Sequence, residues 1–304
     1  MEKIQEIRLF VRVVDLGSFS RAALEAGIGQ PAVTKQIKKM EQNLGARLLH
    51  RTTHGVSPTE IGLLYYEKCK MICHLADEAN SVGSLLQTQA QGAIRISSSV
   101  AFGRRVMAPL IMKFMRMNPH LHVELNCDDR YVNLVEQGVD VAIRLGKLAD
   151  STLGAAYLGT NPWVLVASPT YIEAHGIPLN PNDLSKHDAL IYSSVQGDER
   201  WQLIGRNGEL ASIPVKGRLH SNNLSMLLAA VRQDFGIAAL PKYVAHKSLE
   251  SNAVISLLNN WQLPQQEVHA VFPSPRLIPA KVKLFINWLQ SQFSPDWWAT
   301  IGTH

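Results

Sequence analysis

The chain has 304 residues, more than one ordinary hydrophobic core accommodates. Its composition, 46% hydrophobic and 18% charged, excludes a disordered protein. Its net charge is +5, and residues 1–58 hold nine Lys/Arg against five Asp/Glu, whereas the remainder holds twenty-one against twenty. That placement favours contact with nucleic-acid phosphates by the first part alone. Three cysteines are too few for a disulfide framework. The N-terminus carries charges throughout and no apolar run reaches eighteen residues, so we expect a cytoplasmic protein without a membrane partner.

The N-terminal segment opens with a helical pattern and a glycine-bounded second pattern. Apolar residues at helical spacing predict a first helix over residues 3–16, and Gly17 ends it. A second short helix follows, and Gly27 suits the left-handed residue that ends a helix. Ile28 is then expected to fill the corner of a helix-turn-helix.

Two serines compete for the start of the second helix. Ser18 and Ser20 are both candidate N-caps, because a serine hydroxyl accepts a hydrogen bond from an unpaired N–H of the first turn. With Ser20 as the cap, Phe19 and Leu24 would occupy the two positions of a hydrophobic staple.

A third helix is predicted over residues 30–43, with Pro31 near its start, where the missing N–H costs nothing. Its inward stripe is apolar and comprises Val33, Ile37, Met40 and Leu44. Its other face is polar or basic, as the major groove of DNA requires, and comprises Gln30, Thr34, Lys35, Lys38 and Lys39. The first two suit base edges, Lys35 a base or a phosphate, and the last two phosphates. A solvated face on a small helical bundle is the alternative, which the serine caps and the basic hairpin that follows disfavour.

A short basic hairpin comes next. Residues 47–50 and 55–57 are predicted strands, and residues 51–55 form the predicted tip. Such a wing can place an arginine in or beside the minor groove, and Arg51 is the candidate. An ordinary surface hairpin is the alternative.

The segment resembles the head of LysR-type transcriptional regulators. The matching residues occupy positions 10–20, 22–23, 30–34, 37, 41, 44–45, 48–51 and 58–62. The resemblance implies a winged helix-turn-helix DNA-binding domain over residues 1–58, with positions 30, 34 and 35 facing bases. The residues expected at DNA are Ser18, Ser20, Gln30, Pro31, Thr34, Lys35, Lys38, Lys39, Arg51, Thr52 and Thr53. Position 35 is often arginine in this family, and the lysine here gives up bidentate geometry.

Residues 59–91 form the predicted connector, a proline-free helical stretch that ends in a polar hinge. Its apolar seam has a period between 3.5 and 3.6 and comprises Leu63, Tyr66, Cys69, Ile72, Cys73, Ala76, Ala79, Val82 and Leu86. Such a period suits a helix that packs on a copy of itself. The resemblance implies the family's dimerising linker helix, and hence a homodimer or homotetramer formed through this helix and the effector domain.

Cys69, Cys73 and His74 also invite a metal or redox interpretation. Two thiols at i and i+4 on one helix can bridge a metal, but no further pair of ligands lies nearby, and cysteine is a common small apolar core residue. Packing is therefore the favoured interpretation, and no metal is expected. Cys127 has no evident resolving partner.

From Gly92 onward, strands and helices alternate. Strands are predicted at 93–97, 121–126, 139–144, 163–167, 189–192, 237–240 and 268–272, and helices at 102–117, 132–137, 169–175, 223–233 and 280–293. The helix over 102–117 should turn four residues inward: Val106, Leu110, Phe114 and Met117. The alternation predicts parallel strands with crossover helices. The chain then returns, which gives lobe I over residues 92–161 and 267–304 and lobe II over 162–266.

The family resemblance continues through residues 92–304 and implies a two-lobed α/β effector domain similar to type 2 periplasmic binding proteins. A small ligand is expected in the cleft between the lobes, because ligands of such α/β sheets bind in a crevice at the strand ends. The candidate ligand-binding residues are polar groups near strand ends: Ser97, Ser98, Ser99, Arg144, Asn222 and Asn223. Free N–H groups beside the serines suit a carboxylate or another anion. Helix capping is the alternative for the serines and asparagines, and an ion pair with Asp129 or Asp140 is the alternative for Arg144.

The resemblance implies a sequence-specific transcriptional regulator controlled by a small-molecule effector, with double-stranded DNA and, for an activator, RNA polymerase as partners. A solute-binding protein and an enzyme are the competing hypotheses. No nucleophile elbow, metal-ligand set or glycine-rich phosphate loop is present, so neither catalytic residues nor a cofactor is predicted. The tail at Trp297 and Trp298 lies beyond the resemblance.

Overall fold

The computed structural model describes residues 2–52, 55–82, 90–129, 134, 137–148, 152–193, 199–273, 275 and 278–300. They form two compact units, the first built mainly from residues 1–90 and the second mainly from the residues after them. A helix-turn-helix at the N-terminus and mixed α/β sheets at the C-terminus confirm the predicted fold class. Across these ranges, every helix is too short or too polar to span a membrane.

The first unit consists of three short helices, a hairpin and one long helix. Their bounds are α1 Glu2–Leu16, α2 Phe19–Glu25, α3 Gln30–Leu44, β1 Leu49–Thr52, β2 Gly55–Pro58 and α4 Glu60–Val82. Side chains from α1, α3, β1 and α4 meet in one apolar core, whose fully buried members include Phe10, Val13, Val33, Ile37, Leu48 and Cys69.

Ser18 is the residue that caps α2. Its hydroxyl accepts a hydrogen bond from the N–H of Arg21 at 3.3 Å. The alternative with Ser20 as cap is wrong, because α2 already begins at Phe19. The staple that this alternative required is also absent: Phe19 is buried, whereas the Leu24 side chain is 85% exposed.

Two expected core positions at the helix ends are exposed instead. Gly27 does adopt the predicted left-handed conformation, with φ +65°. Ile28 closes the turn through its backbone, because its N–H donates to Ala23 O at 3.1 Å, but the residue is 40% exposed, so it fills the corner only in part. Leu44 is exposed as well, because α3 ends there and the left-handed Gly45 turns the chain away.

The hairpin is tighter than predicted. Arg51 pairs with Val56 and Thr52 pairs with Gly55, so both strands extend into the predicted tip of residues 51–55. The sequence placed the first strand at residues 47–50, but it begins only at Leu49. Alternation of polar and apolar residues is too short over four residues to fix such ends.

Side-chain oxygens tie this hairpin to the flanking helices. The Glu41 carboxylate on α3 accepts the N–H groups of Leu48 at 2.8 Å and of Leu49 at 3.2 Å. The Thr59 N–H donates to Leu48 O at 2.9 Å, and the Thr59 hydroxyl accepts the N–H of Gly62 at 2.9 Å. Gly62 therefore lies directly against the hairpin, and a Cβ there would stand 1.8 Å from Leu48 O.

The predicted seam of α4 is divided between two faces. Tyr66, Cys69 and Cys73 pack on the core of their own head, so the prediction that they face a second copy is wrong. The period of 3.5 to 3.6 identified an apolar stripe, but the head's own core covers these three members of it. Two other seam residues, Leu63 and Ile72, are exposed, and Ile72 belongs to an exposed stripe with Ile61, Leu64 and Leu75.

The second unit contains two five-stranded sheets and their helices. In chain order its elements are β3 Gly92–Ser98, α5 Val100–Phe102, a π-helical turn Gly103–Met107, α6 Ala108–Met117, β4 Leu121–Cys127, β5 Val141–Leu145, β6 Gly154–Asn161, β7 Trp163–Ala167, α7 Pro169–His175, a 3₁₀ helix Pro181–Lys186, β8 Asp188–Tyr192, β9 Arg200–Gly205, β10 Leu210–Pro214, β11 Lys216–Ser221, α8 Leu224–Arg232, β12 Ile237–Pro241, α9 Lys242–Glu250, β13 Ile255–Leu257, β14 Trp261–Gln262, β15 Gln266–Phe272, α10 Ala280–Gln292 and α11 Trp297–Thr300.

Both five-stranded sheets are mixed, which corrects the prediction of parallel strands. Lobe I has the order β4-β3-β5-β15-β6, in which β15 is antiparallel to both its neighbours. Lobe II has the order β11-β8-β12-β7-β13, in which β7 is antiparallel to β12 and β13. The chain enters lobe II directly from β6 through Pro162, without a crossover helix, and an antiparallel strand needs none.

Smaller differences concern strands and helix ends. Strands β6, β9, β10, β11, β13 and β14 were not predicted, and β9, β10 and β14 make a separate three-stranded sheet. Val106, Leu110 and Phe114 are buried as predicted, but Met117 at the end of α6 is 62% exposed, so its inward assignment is wrong. The helix predicted over 132–137 falls largely outside the described residues.

Candidate functional sites

The polar face of α3 is exposed along its length. Val33 and Ile37 are completely buried on one side of the helix, which turns Gln30, Lys35 and Lys38 into solvent. Thr34 is half-buried between the two faces, and Pro31 is exposed in the first turn. The amphipathic spacing thus presents amide, hydroxyl and ammonium groups together, the combination that contacts base edges and phosphates.

A hydrogen bond holds the first side chain of this face. The Ser20 hydroxyl donates to the Gln30 side-chain oxygen at 3.1 Å, a bond that does not use the two amide N–H donors of Gln30. Ser20 therefore positions Gln30 rather than capping a helix. Ser18 lies at the start of α2, where its hydroxyl keeps its own proton for an outside acceptor while it caps the helix.

The three lysines of α3 differ in their surroundings. Lys35 and Lys38 are exposed, whereas the Lys39 ammonium lies 3.8 Å from the carboxylate of Glu6 on α1. That ion pair is solvent-exposed and weak. Lys39 nevertheless offers less unbalanced charge to a phosphate than its neighbours do.

Ionic contacts hold α2 against α1. The Arg12 guanidinium donates to both oxygens of Glu25, at 2.7 and 2.6 Å, and to Asp15 at 3.0 Å. The bond to Glu25 raises the pKa of Arg12, and the same bond lowers the pKa of Glu25. Bidentate geometry of this kind fixes the relative orientation of the two side chains and thereby links α2 to α1.

The wing is described only as backbone. Arg51 and Thr52 lie on β1, next to the turn of the hairpin. Thr53, the remaining predicted wing contact, lies outside the described residues. Backbone geometry is consistent with a wing beside α3, because Glu41 of α3 accepts from the strand that carries Arg51.

Cys69 and Cys73 behave as packing residues. Both are unbridged and buried, and burial raises the pKa of the Cys69 thiol to about 11. A thiol of such high pKa is protonated near neutral pH, and metal binding or redox chemistry needs the thiolate. Among the described side chains, no three His, Cys, Asp or Glu residues cluster as metal ligands would.

A cavity of about 230 Å³ lies in the second unit, bordered by both lobes. Polar side chains line part of its wall: Ser99, Asp128, Asp129, Arg144, Asn222, Asn223, Ser225 and Gln266. Three aromatic residues line another part: Trp163, Tyr192 and Tyr243. The volume and the mixture of aromatic and polar groups suit a small organic molecule.

Four of the six predicted ligand-binding residues reach this cavity: Ser99, Arg144, Asn222 and Asn223. Ser97 and Ser98 do not line it, because both still belong to β3, where they pair with Asn126 and Cys127 and are buried.

Capping accounts for one of the asparagines. Asn223 caps α8, since its side-chain oxygen accepts the N–H of Met226 at 3.0 Å. Its neighbour Asn222 is exposed at the cavity.

An acidic residue already occupies the helix start that was expected to bind an anion. The Asp129 carboxylate accepts the N–H of Val100 at 2.9 Å. The expected pairing of free N–H groups with an anion beside Ser99 is therefore wrong for this amide. Arg144 is the cation that lines the cavity, and Asp128 and Asp129 are the anions.

The sequence did not identify the aromatic wall or its hydrogen-bonding groups. Gln266 accepts the indole N–H of Trp163 at 3.0 Å and the amide of Asn161 at 3.1 Å, which anchors it at the cavity. Tyr243 is buried, with 7% of its surface exposed, and its hydroxyl has no hydrogen-bond partner among the described residues. Burial raises the pKa of Tyr243, so its phenol remains a donor. The sequence signal for Tyr243 was only its place in the first turn after a buried strand, where it is the second residue of α9.

Two family models match the chain. Residues 4–63 match the model described as bacterial regulatory helix-turn-helix protein, lysR family, and residues 87–294 match the LysR substrate binding domain. A relative from Haemophilus influenzae, an uncharacterized HTH-type transcriptional regulator, is 34% identical over 93% of this chain and 98% of its own. The transcriptional activator AaeR of Escherichia coli is 30% identical over 96% and 94% of the two chains. The full-length structure of the Vibrio cholerae virulence activator AphB has a TM-score of 0.61 at 27% identity, covering 95% of this chain and 99% of that one.

Proposed function

The chain belongs to the LysR family of bacterial transcriptional regulators, and from that premise we propose which of its residues contact DNA, effector and partner. It is a LysR-type regulator with a helix-turn-helix domain for DNA and a domain for an effector. The proposal for the first unit is that α3 enters the major groove with Gln30 and Thr34 at base edges, Lys35 beside them and Lys38 on a phosphate. The observation that carries it is the exposed polar face of α3 opposite a fully buried one.

The test is specific binding to the DNA upstream of the protein's own coding region. Fluorescence anisotropy with scrambled DNA as competitor measures the specificity ratio, which we expect to be about a thousandfold or more. Changing Gln30 and Thr34 together to alanine should lower that ratio at least about tenfold, because a good base contact discriminates by roughly 1–3 kcal/mol. The matched control is Gln42→Ala, an exposed amide in the last turn of the same helix. Equal specificity of the double variant and the control would remove α3 as the recognition helix.

The lysines give a second, independent measurement. Replacing Lys38 with glutamine should weaken binding to all sequences alike. It should also reduce the slope of log K against log salt concentration by about one, the value expected for one lost phosphate contact. Lys39→Gln should have the smaller effect, because Glu6 already neutralises part of its charge. A larger salt effect for Lys39 than for Lys38 would contradict this assignment.

LysR-type regulators form oligomers, and we place the helix contact on the exposed stripe of α4. Its members are Ile61, Leu64, Ile72 and Leu75, each at least 41% exposed. A stripe of this kind buries apolar surface when two helices pair. Leu64→Lys should shift the protein toward smaller species in sedimentation velocity, whereas Glu67→Ala, an exposed change on another face of the same helix, should not. Identical distributions for both variants would rule out this face.

The effector is proposed to occupy the cavity of the second unit. A carboxylate or another small anion is the expected class, with Arg144 rather than the helix start as its counter-charge, since Asp129 already accepts the Val100 N–H. Thermal shift against a panel of carboxylates, phosphates and amines tests this. An anion that stabilises the wild type should lose its effect on Arg144→Gln and keep it on Asp129→Asn. Stabilisation by amines alone would reverse the charge assignment.

These roles carry four further proposals. Because DNA is the target, we expect the protein to act in the cytoplasm. If it activates transcription, RNA polymerase is a further partner. We propose no catalytic activity for it, and we expect regulation to follow from the effector's different affinity for two conformations.

A further inference from the structure

The C-terminal helix α11 extends beyond the family model, which ends at residue 294. Its first residue, Trp297, has only 1% of its surface exposed. The contacts of Trp297 therefore indicate what this tail does.

Trp297 is fastened to lobe I by its polar atom and by two rings. Its indole N–H donates to Thr160 O on β6 at 2.7 Å. Its ring lies edge-on to Phe102 of α5, with centroids 5.7 Å apart, and 5.1 Å from the ring of Phe293. These distances lie within the range of favourable aromatic pairs.

The same tail contacts lobe II through α9. The ring of Trp297 stacks on Tyr243 at 6.0 Å, and the Lys242 ammonium lies 5.0 Å from the centre of the Trp298 ring. Tyr243 in turn lies edge-on to Phe102 at 5.2 Å. Four rings therefore form one interlobe aromatic cluster: Phe102, Phe293 and Trp297 beside lobe I and Tyr243 from lobe II.

The cluster lies against the cavity. Tyr243 lines the cavity, and so does Ala101, which directly precedes Phe102. The lobes are otherwise joined covalently at two places, Pro162 and residues 263–265. Two adjacent chain crossings permit rotation about the line that joins them, which is how hinged domains open and close. The ring cluster lies beside the first of these crossings, because Trp297 binds Thr160 O and the N–H of Lys242, next to Tyr243, donates to Pro162 O at 2.8 Å. Rings packed on both sides of a crossing resist bending there.

We infer that α11 is an interlobe strap, in which Trp297 holds the two lobes at a set separation before any ligand binds. Trp297 is a positioning residue, since it lies behind Tyr243 and does not line the cavity. Only the regulatory consequence of the strap, a preset opening for the effector, rests on the proposed function. The strap itself is a property of the free protein.

The test is the distance between the lobes in the full-length protein without ligand. Nitroxide labels on unnatural amino acids at Met112 of lobe I and Leu179 of lobe II, both exposed, leave the three cysteines intact. Electron–electron double resonance on labelled protein diluted with unlabelled protein reports the distance within one chain. We expect Trp297→Ala to shift and broaden the distribution.

Trp288→Ala is the matched control. Its ring contacts are with Phe114 and Phe285, both in lobe I, so it removes an equal aromatic volume without touching lobe II. It should destabilise the protein and leave the interlobe distance as in the wild type. The same shift in both variants would show general loosening and overturn the strap.

A gentler variant covers the case in which Trp297→Ala fails to fold. Trp297→Phe keeps an aromatic ring and removes the hydrogen bond to Thr160, so it should broaden the distribution less than alanine does. If both variants fold and both keep the wild-type distance distribution, the proposal is overturned. If only Trp297→Phe folds, a wild-type distribution for that variant overturns it. Because no ligand is added, failure of the strap and failure of the effector assignment remain distinguishable.

Discussion

Replacing Gly62 with alanine should detach the linker helix from the hairpin of the head. Gly62 lies in the first turn of α4, where its own Cα faces the backbone of Leu48. A Cβ added there would lie 1.8 Å from Leu48 O, 2.8 Å from its carbonyl carbon and 3.1 Å from its Cα. All three atoms belong to the main chain, so no rotamer change relieves the contact.

The size of the effect follows from how far α4 must move. Ordinary contact begins at 3.4 Å, so the helix and the strand must separate by about 1.6 Å, the difference between 3.4 and 1.8 Å. Such a shift breaks the hydrogen bond from Thr59 N to Leu48 O, now 2.9 Å, and disturbs that from the Thr59 hydroxyl to Arg47 O, now 2.8 Å. Each bond contributes about 1 kcal/mol and the overpacking costs about 1–3 kcal/mol.

The higher helix propensity of alanine opposes this loss, but its effect is small. Alanine favours a helix over glycine by at most about 1 kcal/mol, so propensity alone predicts a slightly more stable protein. The contact with Leu48 predicts the opposite sign, a net loss of roughly 2–4 kcal/mol, or at least about 8 °C in the melting of the head.

Thermal denaturation of the full-length protein, followed by circular dichroism and by calorimetry, measures this. Lys68→Ala is the control, an exposed change on the same helix that should alter stability by no more than about 0.5 kcal/mol. An unchanged or raised melting temperature for Gly62→Ala would refute the close approach of α4 to the hairpin.

Three more results are expected. Glu41→Ala should lower the stability of the head by about 2–3 kcal/mol in thermal melts, because two N–H groups of the wing lose a charged acceptor. Glu41→Gln should have a stability between those of Glu41→Ala and the wild type. Equal stabilities of all three proteins would argue against that contact. Ser20→Ala should lower sequence discrimination roughly fivefold in the anisotropy assay by freeing Gln30, with non-specific binding unchanged. The pKa of Cys69 is raised by burial from 9.0 to about 11, so its contribution to stability is complete below pH 9 and is lost as pH rises through 11. Urea unfolding at pH 8 and pH 11 should show a smaller pH dependence for Cys69→Ala, and an equal dependence would contradict the burial.

Helix α3 was predictable because its signals are local. Pro31, the spacing of Val33 and Ile37, and the left-handed Gly27 act within one or two turns of chain, and the structure places all of them as expected. Local sequence signals did not decide which serine caps α2. The two candidates are two residues apart, and the choice depends on Phe19 being drawn into the core.

The face of α4 shows the limit of periodicity. Two apolar stripes run along this helix, and a period near 3.6 does not say which one the head covers. Packing of Tyr66, Cys69 and Cys73 against α1 uses one stripe and exposes the other, which contains Leu64.

By itself, the sequence determined the order of the domains, the helix-turn-helix and the residues presented by α3, since helix spacing, caps and turn glycines are properties of neighbouring residues. Tertiary structure decided that Asp129 occupies the helix start beside Ser99, that Tyr243 lines the cavity and that Trp297 joins the lobes. These groups are separated by tens to more than a hundred residues along the chain. Only the folding of both lobes brings them together, and no local pattern records a contact of that range.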